Sequence, residues 1–337
     1  SWVTDNRDVE NVVYSDSLLR GCGIDREKFP EIVKCTEVIG SLDKEVSEAL
    51  GLTHDVAVVA GAIDNTAAAI GSGAVEDYRA HLYIGTSSWL AAHVPYKKTD
   101  LASSIASIPC AIPGRYLMHA MQTTAAGNLT FLRDRILYPE DALGREEAPS
   151  DFFEILERIA GKVPPGSNGV IYTPWVFGER APVDDRTVRA AIFNLSLEHS
   201  RAEIVRAFLE GVALNTRWLL RPFERAIRQR LDAIHMIGGG AESDLWCQIF
   251  ADVMDRPIRQ VKDPIQANVR GAAFIASVGL GFISFQEVPG CIEYQATYQP
   301  NSDTRGVYDA HFREFVNIYR RNRSIFRRLN ASRGGGS

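Results

Sequence analysis

The spacing of apolar positions changes several times along the chain, and each change marks an element. The first fifty residues are polar with helical spacing, and 41–52 reads as a helix ending at Gly51. Val56-Ala57-Val58-Val59-Ala60 is a short, largely β-branched run, read as a buried strand. It runs through Gly61-Ala62-Ile63-Asp64 into an alanine-rich helix over 65–70. Two apolar arms around Gly85-Thr86-Ser87-Ser88 predict a hairpin over 81–93. Helical spacing returns over 121–138 and 151–163, and Val170-Ile171-Tyr172 follows as a strand. Residues 201–218 place Ile204, Val205, Phe208, Leu209 and Val212 on one helical face. A strand at 233–237 then meets Gly238-Gly239-Gly240, and helices are predicted over 243–254, 270–278 and 309–329. Strands alternating with helices predict an α/β fold, a mixed sheet flanked by helices.

Composition narrows the function classes. The 337 residues are 45% hydrophobic and 23% charged, enough apolar chain for two domains or one large one. Thirty-seven basic against 42 acidic residues give a net charge of −5, which argues against a general nucleic-acid partner. No apolar run approaches eighteen residues, so no membrane span is expected. Ser1-Trp2-Val3-Thr4-Asp5-Asn6-Arg7-Asp8 has no basic-then-apolar character, so no secretory signal is expected either. The five cysteines are scattered with no Cys-x-x-Cys pair, which speaks against a disulfide framework and a zinc site. A cytoplasmic enzyme is the expectation. Residues 332–337 read as a flexible tail.

Three places could carry chemistry. Asp64 follows a strand and opens a helix, so it could accept a proton from an alcohol at a sheet edge or serve as the helix N-cap; the two roles are compatible. Gly85-Thr86-Ser87-Ser88 could offer backbone N–H groups and hydroxyls to phosphate, or be an ordinary turn. Gly238-Gly239-Gly240-Ala241 could let a nucleotide approach the backbone at a helix N-terminus, or simply make a tight turn. It is neither a Walker A loop nor G-x-G-x-x-G. No histidine pair has metal-ligand spacing on a helix, no G-x-S-x-G elbow is present, and no metal-ligating residues are proposed. The arginines of the last helix read as its solvated face, with Phe312, Phe315, Tyr319 and Phe326 inward.

Six segments in order carry more than any one of them. These are Val58 to Ala68 with its Gly-x-x-Asp-Asn, Leu82-Tyr83-Ile84-Gly85-Thr86-Ser87, Gly178-Glu179-Arg180-Ala181-Pro182, Arg206 to Gly211, Ile237 to Trp246, and Gly271-Ala272-Ala273. Together they resemble the actin-like ATPase (ribonuclease H-like) fold, and the chain resembles the C-terminal part of an FGGY carbohydrate kinase of xylulokinase type. It departs in having Asn194 where the family signature has glycine, and a bulky Phe208.

The resemblance implies residues 1–52 as the closing piece of an N-terminal domain and 53–330 as the C-terminal nucleotide-binding domain. The rest of the N-terminal domain is expected to be largely missing, so that this chain alone would bind ATP weakly and phosphorylate nothing. It implies ATP and Mg²⁺, a small sugar or polyol substrate with a pentulose favoured, and a fold that admits a homodimer. Asp64 would be the general base. Gly85, Thr86 and Ser87 would hold phosphate, Gly239, Gly240 and Ser243 would line the adenosine pocket, and Gly127 and Thr130 would also touch nucleotide. The alternatives are the same chemistry on a hexulose or polyol, and a non-catalytic nucleotide-binding regulatory paralogue, against which Asp64 tells.

Overall fold

The computed structural model describes residues 3–52, 55–141 and 147–331; the tail expected at 332–337 lies outside them. The centre is an eight-stranded mixed sheet. Its strands run in the order Tyr294–Tyr298, Ile258–Val261, Ile234–Ile237, Ala80–Ile84, Ser88–Val94, Tyr116–Gln122, Ile105–Pro109, Thr99–Asp100. Ile234–Ile237 is parallel to both of its neighbours, and the remaining pairs are antiparallel. The predicted hairpin forms, with Ile84 opposite Ser88 across the Gly85-Thr86-Ser87 turn.

Side chains alternate across the sheet, as its pleat requires. Ala80, Leu82, Ile84, Leu90, Ala92, Met118 and Ala120 face one core with Arg201–Ile227, Asp244–Met254 and Arg305–Asn330. Trp89, Ala91 and Leu117 face the other way, onto Asp64–Gly71 and Ala267–Gly279. These last two helices cross with almost nothing between their backbones. A Cβ on Gly71 would meet the Ala267 carbonyl at 1.8 Å, and one on Gly271 would meet the Ala67 carbonyl at the same distance.

Several expectations shift. The run at 56–60 yields the strand Ala57–Val59, which pairs with Val38–Ser41 in a separate ribbon and is only half-buried. A short apolar run does not reveal its partner, and this one found a local hairpin-like mate. The strand Ile171–Thr173 likewise pairs apart from the main sheet, with Ala191–Phe193. The helix expected over 121–138 begins only at Gly127, because 121–122 end a central strand and 125–127 spend their N–H groups on the hairpin turn. The helix at 201 continues to Ile227, its capping box made by Ser200 and Glu203, since Leu219, Leu220 and Phe223 prolong the buried face. Asn194 sits at φ +63°, a left-handed conformation that asparagine tolerates, so the family glycine is replaced without loss of the turn. No helix among the described residues is long and apolar enough to cross a membrane.

Candidate active site

The parallel strands Ala80–Ile84 and Ile234–Ile237 end side by side, so the turns that follow them, 85–87 and 238–243, are neighbours. Their closeness is bought by Gly238: at φ +85°, a Cβ there would lie 2.6 Å from the Ile84 carbonyl oxygen. Gly240 packs as tightly, its missing Cβ 2.2 Å from Ile84 Cγ2, whereas a Cβ on Gly239 would meet nothing within 4 Å. Of the three glycines, then, two serve packing and Gly239 alone leaves open backbone for a ligand. Ser243 caps the helix Asp244–Met254, its hydroxyl accepting from Trp246 N at 3.1 Å.

A third segment closes on the hairpin turn. Ala125 and Gly127 donate their N–H groups to the Thr86 carbonyl at 2.8 and 3.2 Å, and Ala126 donates to Gly85 O at 2.8 Å. Between these turns lies a cavity of about 610 Å³, a size suited to a nucleotide-scale ligand. Gly85, Thr86, Gly239, Gly240 and Ser243 line it together with Ala126, Phe153, Glu154, Glu242 and Trp246. Five of the nine predicted residues thus meet in one place. Ser87, Gly127 and Thr130 are not among the residues lining it; Ser87 and Gly127 are half-buried and Thr130 is exposed on its helix. The wall contributed by Asp151, Phe153, Glu154 and Glu157 is missing from the sequence reading. Its only sequence signal is an amphipathic helix, Phe152–Ala160, whose placement depends on Glu157 accepting from Leu245 N at 2.8 Å.

Asp64 stands outside this cavity. The N-cap of its helix is Ile63, and Asp64 is the first helical residue, so the capping role expected of it falls to the preceding backbone. Its exposed carboxylate accepts from Asn65 N at 2.7 Å and gains from the helix N-terminus. The strand before it is not an edge of the central sheet, yet the helix it opens packs on that sheet's face. Facing that helix, Trp89 stacks on Tyr83 at 3.9 Å and donates its indole N–H to His81 Nε2 at 3.0 Å. His119 lies 6.0 Å from the Trp89 ring; burial holds its imidazole down at about 4, with the charge of Asp64 opposing and that of Arg180 reinforcing the shift.

Next to this face is a buried carboxylate that the residues alone did not single out as functional. Glu179 Oε1 accepts from Thr123 N at 2.9 Å and Arg180 N at 2.7 Å, and Oε2 accepts from Asn215 Nδ2. Desolvation nevertheless pushes its carboxyl up to about 7. By contrast, the segment 206–211 is structural: Glu210 accepts from Arg206 Nε at 2.7 Å, Tyr308 Oη at 2.9 Å, Gly166 N at 3.0 Å and Ser167 Oγ at 2.7 Å, all in the core. Phe208 earns its bulk by stacking on Tyr172 at 3.6 Å. No group of three His, Cys, Asp or Glu among the described residues could hold a metal ion.

Comparison with known proteins gives these features a class. The model of the FGGY family of carbohydrate kinases, C-terminal domain, matches residues 80–280, and that of the N-terminal domain matches residues 4–71. The chain belongs to the FGGY family of carbohydrate kinases. The expectation that the N-terminal domain is largely missing is corrected by the match over 4–71. The chain is 28% identical over 302 residues to a xylulose kinase of Staphylococcus epidermidis, covering 88% of this chain and 58% of that one. The structure of a xylulose kinase from Lactobacillus acidophilus superposes with a TM-score of 0.80 at 25% identity, over 96% of this chain and 63% of that one. A gluconate kinase from the same organism also gives 0.80, at 26% identity, over 94% and 62%. The fold is therefore the actin-like one, and the chain spans about three fifths of the length of these relatives.

Proposed function

We propose that the protein transfers a phosphoryl group from ATP to a hydroxyl of a small sugar, a pentulose such as xylulose. One observation carries the reading: in an FGGY chain, Gly85, Thr86, Gly239, Gly240 and Ser243 converge on one cavity at the ends of two parallel strands. The open backbone at Gly239 and the turn at Gly85-Thr86 take the nucleotide, and Ser243 lies at its adenosine end. Mg²⁺ comes with ATP as part of the substrate.

Asp64, exposed at its helix N-terminus, takes the proton from the attacking hydroxyl. The sugar oxygen then forms its bond to the γ-phosphorus as the bond to the ADP oxygen breaks. Phosphoryl transfer of this kind depends on alignment and charge stabilisation more than on covalent help from the protein.

The test is ADP release by the full-length protein with ATP·Mg²⁺ and a panel containing xylulose, other ketoses, polyols and gluconate. One strongly preferred acceptor supports the kinase and names its substrate; gluconate as that acceptor would move the assignment toward the gluconate kinase relative. Nucleotide binding without phosphorylation of any acceptor would favour the regulatory paralogue. Asp64→Asn should lower turnover by about 10²–10⁴-fold while nucleotide affinity stays within about threefold.

A further inference from the structure

Among the described residues the cavity is lined by four carboxylates, Asp151, Glu154, Glu157 and Glu242, and by no lysine or arginine. A polyphosphate bound there needs positive charge from outside the wall, most of all where charge shifts during transfer. The sheet end beside the Gly85-Thr86-Ser87 turn offers one. Met121 pairs with Trp89, just past that turn. The Met121 carbonyl accepts from Ala181 N at 3.1 Å, and Arg180 Nη1 lies 3.4 Å from Met121 Sδ. Arg180 is exposed and forms no ion pair with a described carboxylate; among the described residues its guanidinium hydrogen-bonds to that sulfur alone. It is also on the Asp64 side of the sheet, since Met121, whose sulfur it meets, packs against the cluster holding Ala68 and Ala69 of the helix that Asp64 opens.

The backbone under Arg180 is firmly held. Glu179 Oε1 joins Arg180 N to Thr123 N, four residues before Gly127, whose own N–H reaches the Thr86 carbonyl. Glu179 Oε2 accepts from Asn215 Nδ2, and Asn215 Oδ1 accepts from Trp175 Nε1 at 3.1 Å. One buried carboxylate therefore couples the phosphate turn to the residue that carries the free cation.

We propose that Arg180 binds the phosphoryl group in transfer, and that Glu179 is the positioning residue that aims it. The proposal rests on the kinase reading above. The planar guanidinium offers two parallel N–H donors to the equatorial phosphoryl oxygens, stabilising charge that is spread most widely in the transition state. Glutamine cannot replace Glu179, because its NH₂ would face the NH₂ of Asn215. Turning the Asn215 amide over would in turn set that NH₂ against the Trp175 N–H.

Two readouts test this in the full-length protein. In steady-state kinetics with ATP·Mg²⁺ and the preferred sugar, Arg180→Met should lower kcat by about 10²–10³-fold, with both KM values within about threefold of wild type. Added guanidinium should restore part of the activity of Arg180→Ala, which a merely structural role would not allow. The second readout needs no sugar. Wild type should bind ADP with fluoroaluminate, a mimic of the phosphoryl in flight, more tightly than ADP alone. Arg180→Met should lose that gain and keep its ADP affinity.

A kcat within threefold of wild type, or an undiminished fluoroaluminate gain, overturns the proposal. If no sugar is phosphorylated by wild type, the kinase reading fails by itself, and the fluoroaluminate comparison still decides the role of Arg180. Arg180 is exposed, so its variants are expected to melt as wild type does. Glu179→Gln, should it fold, is expected to show the same kcat loss in milder form.

Discussion

Lowering the pH from 7 to 4.5 should destabilise this protein steeply, because its central sheet holds neutral imidazoles where water cannot reach. His93, His119 and His235 are each held at about 4 by burial, against an ordinary value of 6.5. His93 and His235 donate from Nδ1 to the carbonyls of Ala74 and Ser72 at 2.8 and 2.9 Å, while the Nε2 atoms of His93 and His119 are buried without partners. A group whose folded value is depressed contributes stability that is full above its unfolded value and is lost as pH falls toward the folded one. By pH 4.5 each imidazole would have given up about 2–3 kcal/mol, or about 7 kcal/mol for the three.

Glu179 works in the opposite direction. Its folded value of about 7 lies above the ordinary 4.5, so acidification relieves its burial and returns about 2–3 kcal/mol. The net loss is about 5 kcal/mol, as large as the whole stability of a marginal domain. His81, pushed down by the same burial, adds to it. Urea unfolding at pH 7, 6, 5 and 4.5 measures the slope directly. His235→Gln should make that slope shallower by about 2–3 kcal/mol over the same range. A midpoint that is flat or rises on acidification would refute the reasoning.

Other expected outcomes follow from single contacts. Gly238→Ala should destabilise by more than about 2 kcal/mol in urea unfolding, because the Cβ meets a carbonyl oxygen at positive φ, while Gly239→Ala should leave the midpoint nearly unchanged and weaken ATP binding in calorimetry. Arg206→Met should cost about 3–5 kcal/mol by leaving the buried Glu210 without its cation. Asn194→Ala should cost about 1–2 kcal/mol at its left-handed φ, and Asn194→Gly should cost less, both read from thermal melts.

Local chemistry made part of this molecule legible. The hairpin at 80–94 and the strand, glycine turn and capped helix from 234 to 254 follow from period, turn residues and a Ser243 cap, all properties of neighbouring residues. The convergence of Gly85, Thr86, Gly239, Gly240 and Ser243 was legible as a motif order, which the parallel pairing then turned into a place. What pairing decides at long range was not legible. Ala57–Val59 looks like any buried strand, yet joins Val38–Ser41 outside the sheet. Asp151, Phe153, Glu154 and Glu157 carry no mark of the cavity, because a contact about ninety residues away, Glu157 to Leu245 N, brings their helix to it. Nor could spacing tell that Gly240 fills a packing role while Gly239 faces space.

The crossing of Asp64–Gly71 with Ala267–Gly279 has a mechanical consequence. Where two helices meet through side chains, rotamers can give way and the gap can breathe. Here Gly71 meets the carbonyl of Ala267 and Gly271 that of Ala67, peptide against peptide, with no torsion left to yield. The crossing therefore acts as a gauge block of fixed thickness. It sets the height of the helix that Asp64 opens above the sheet face carrying Tyr83 and Trp89 by backbone dimensions alone, so repacking elsewhere in the core transmits little to that helix, whereas one added methyl at either glycine would lift it.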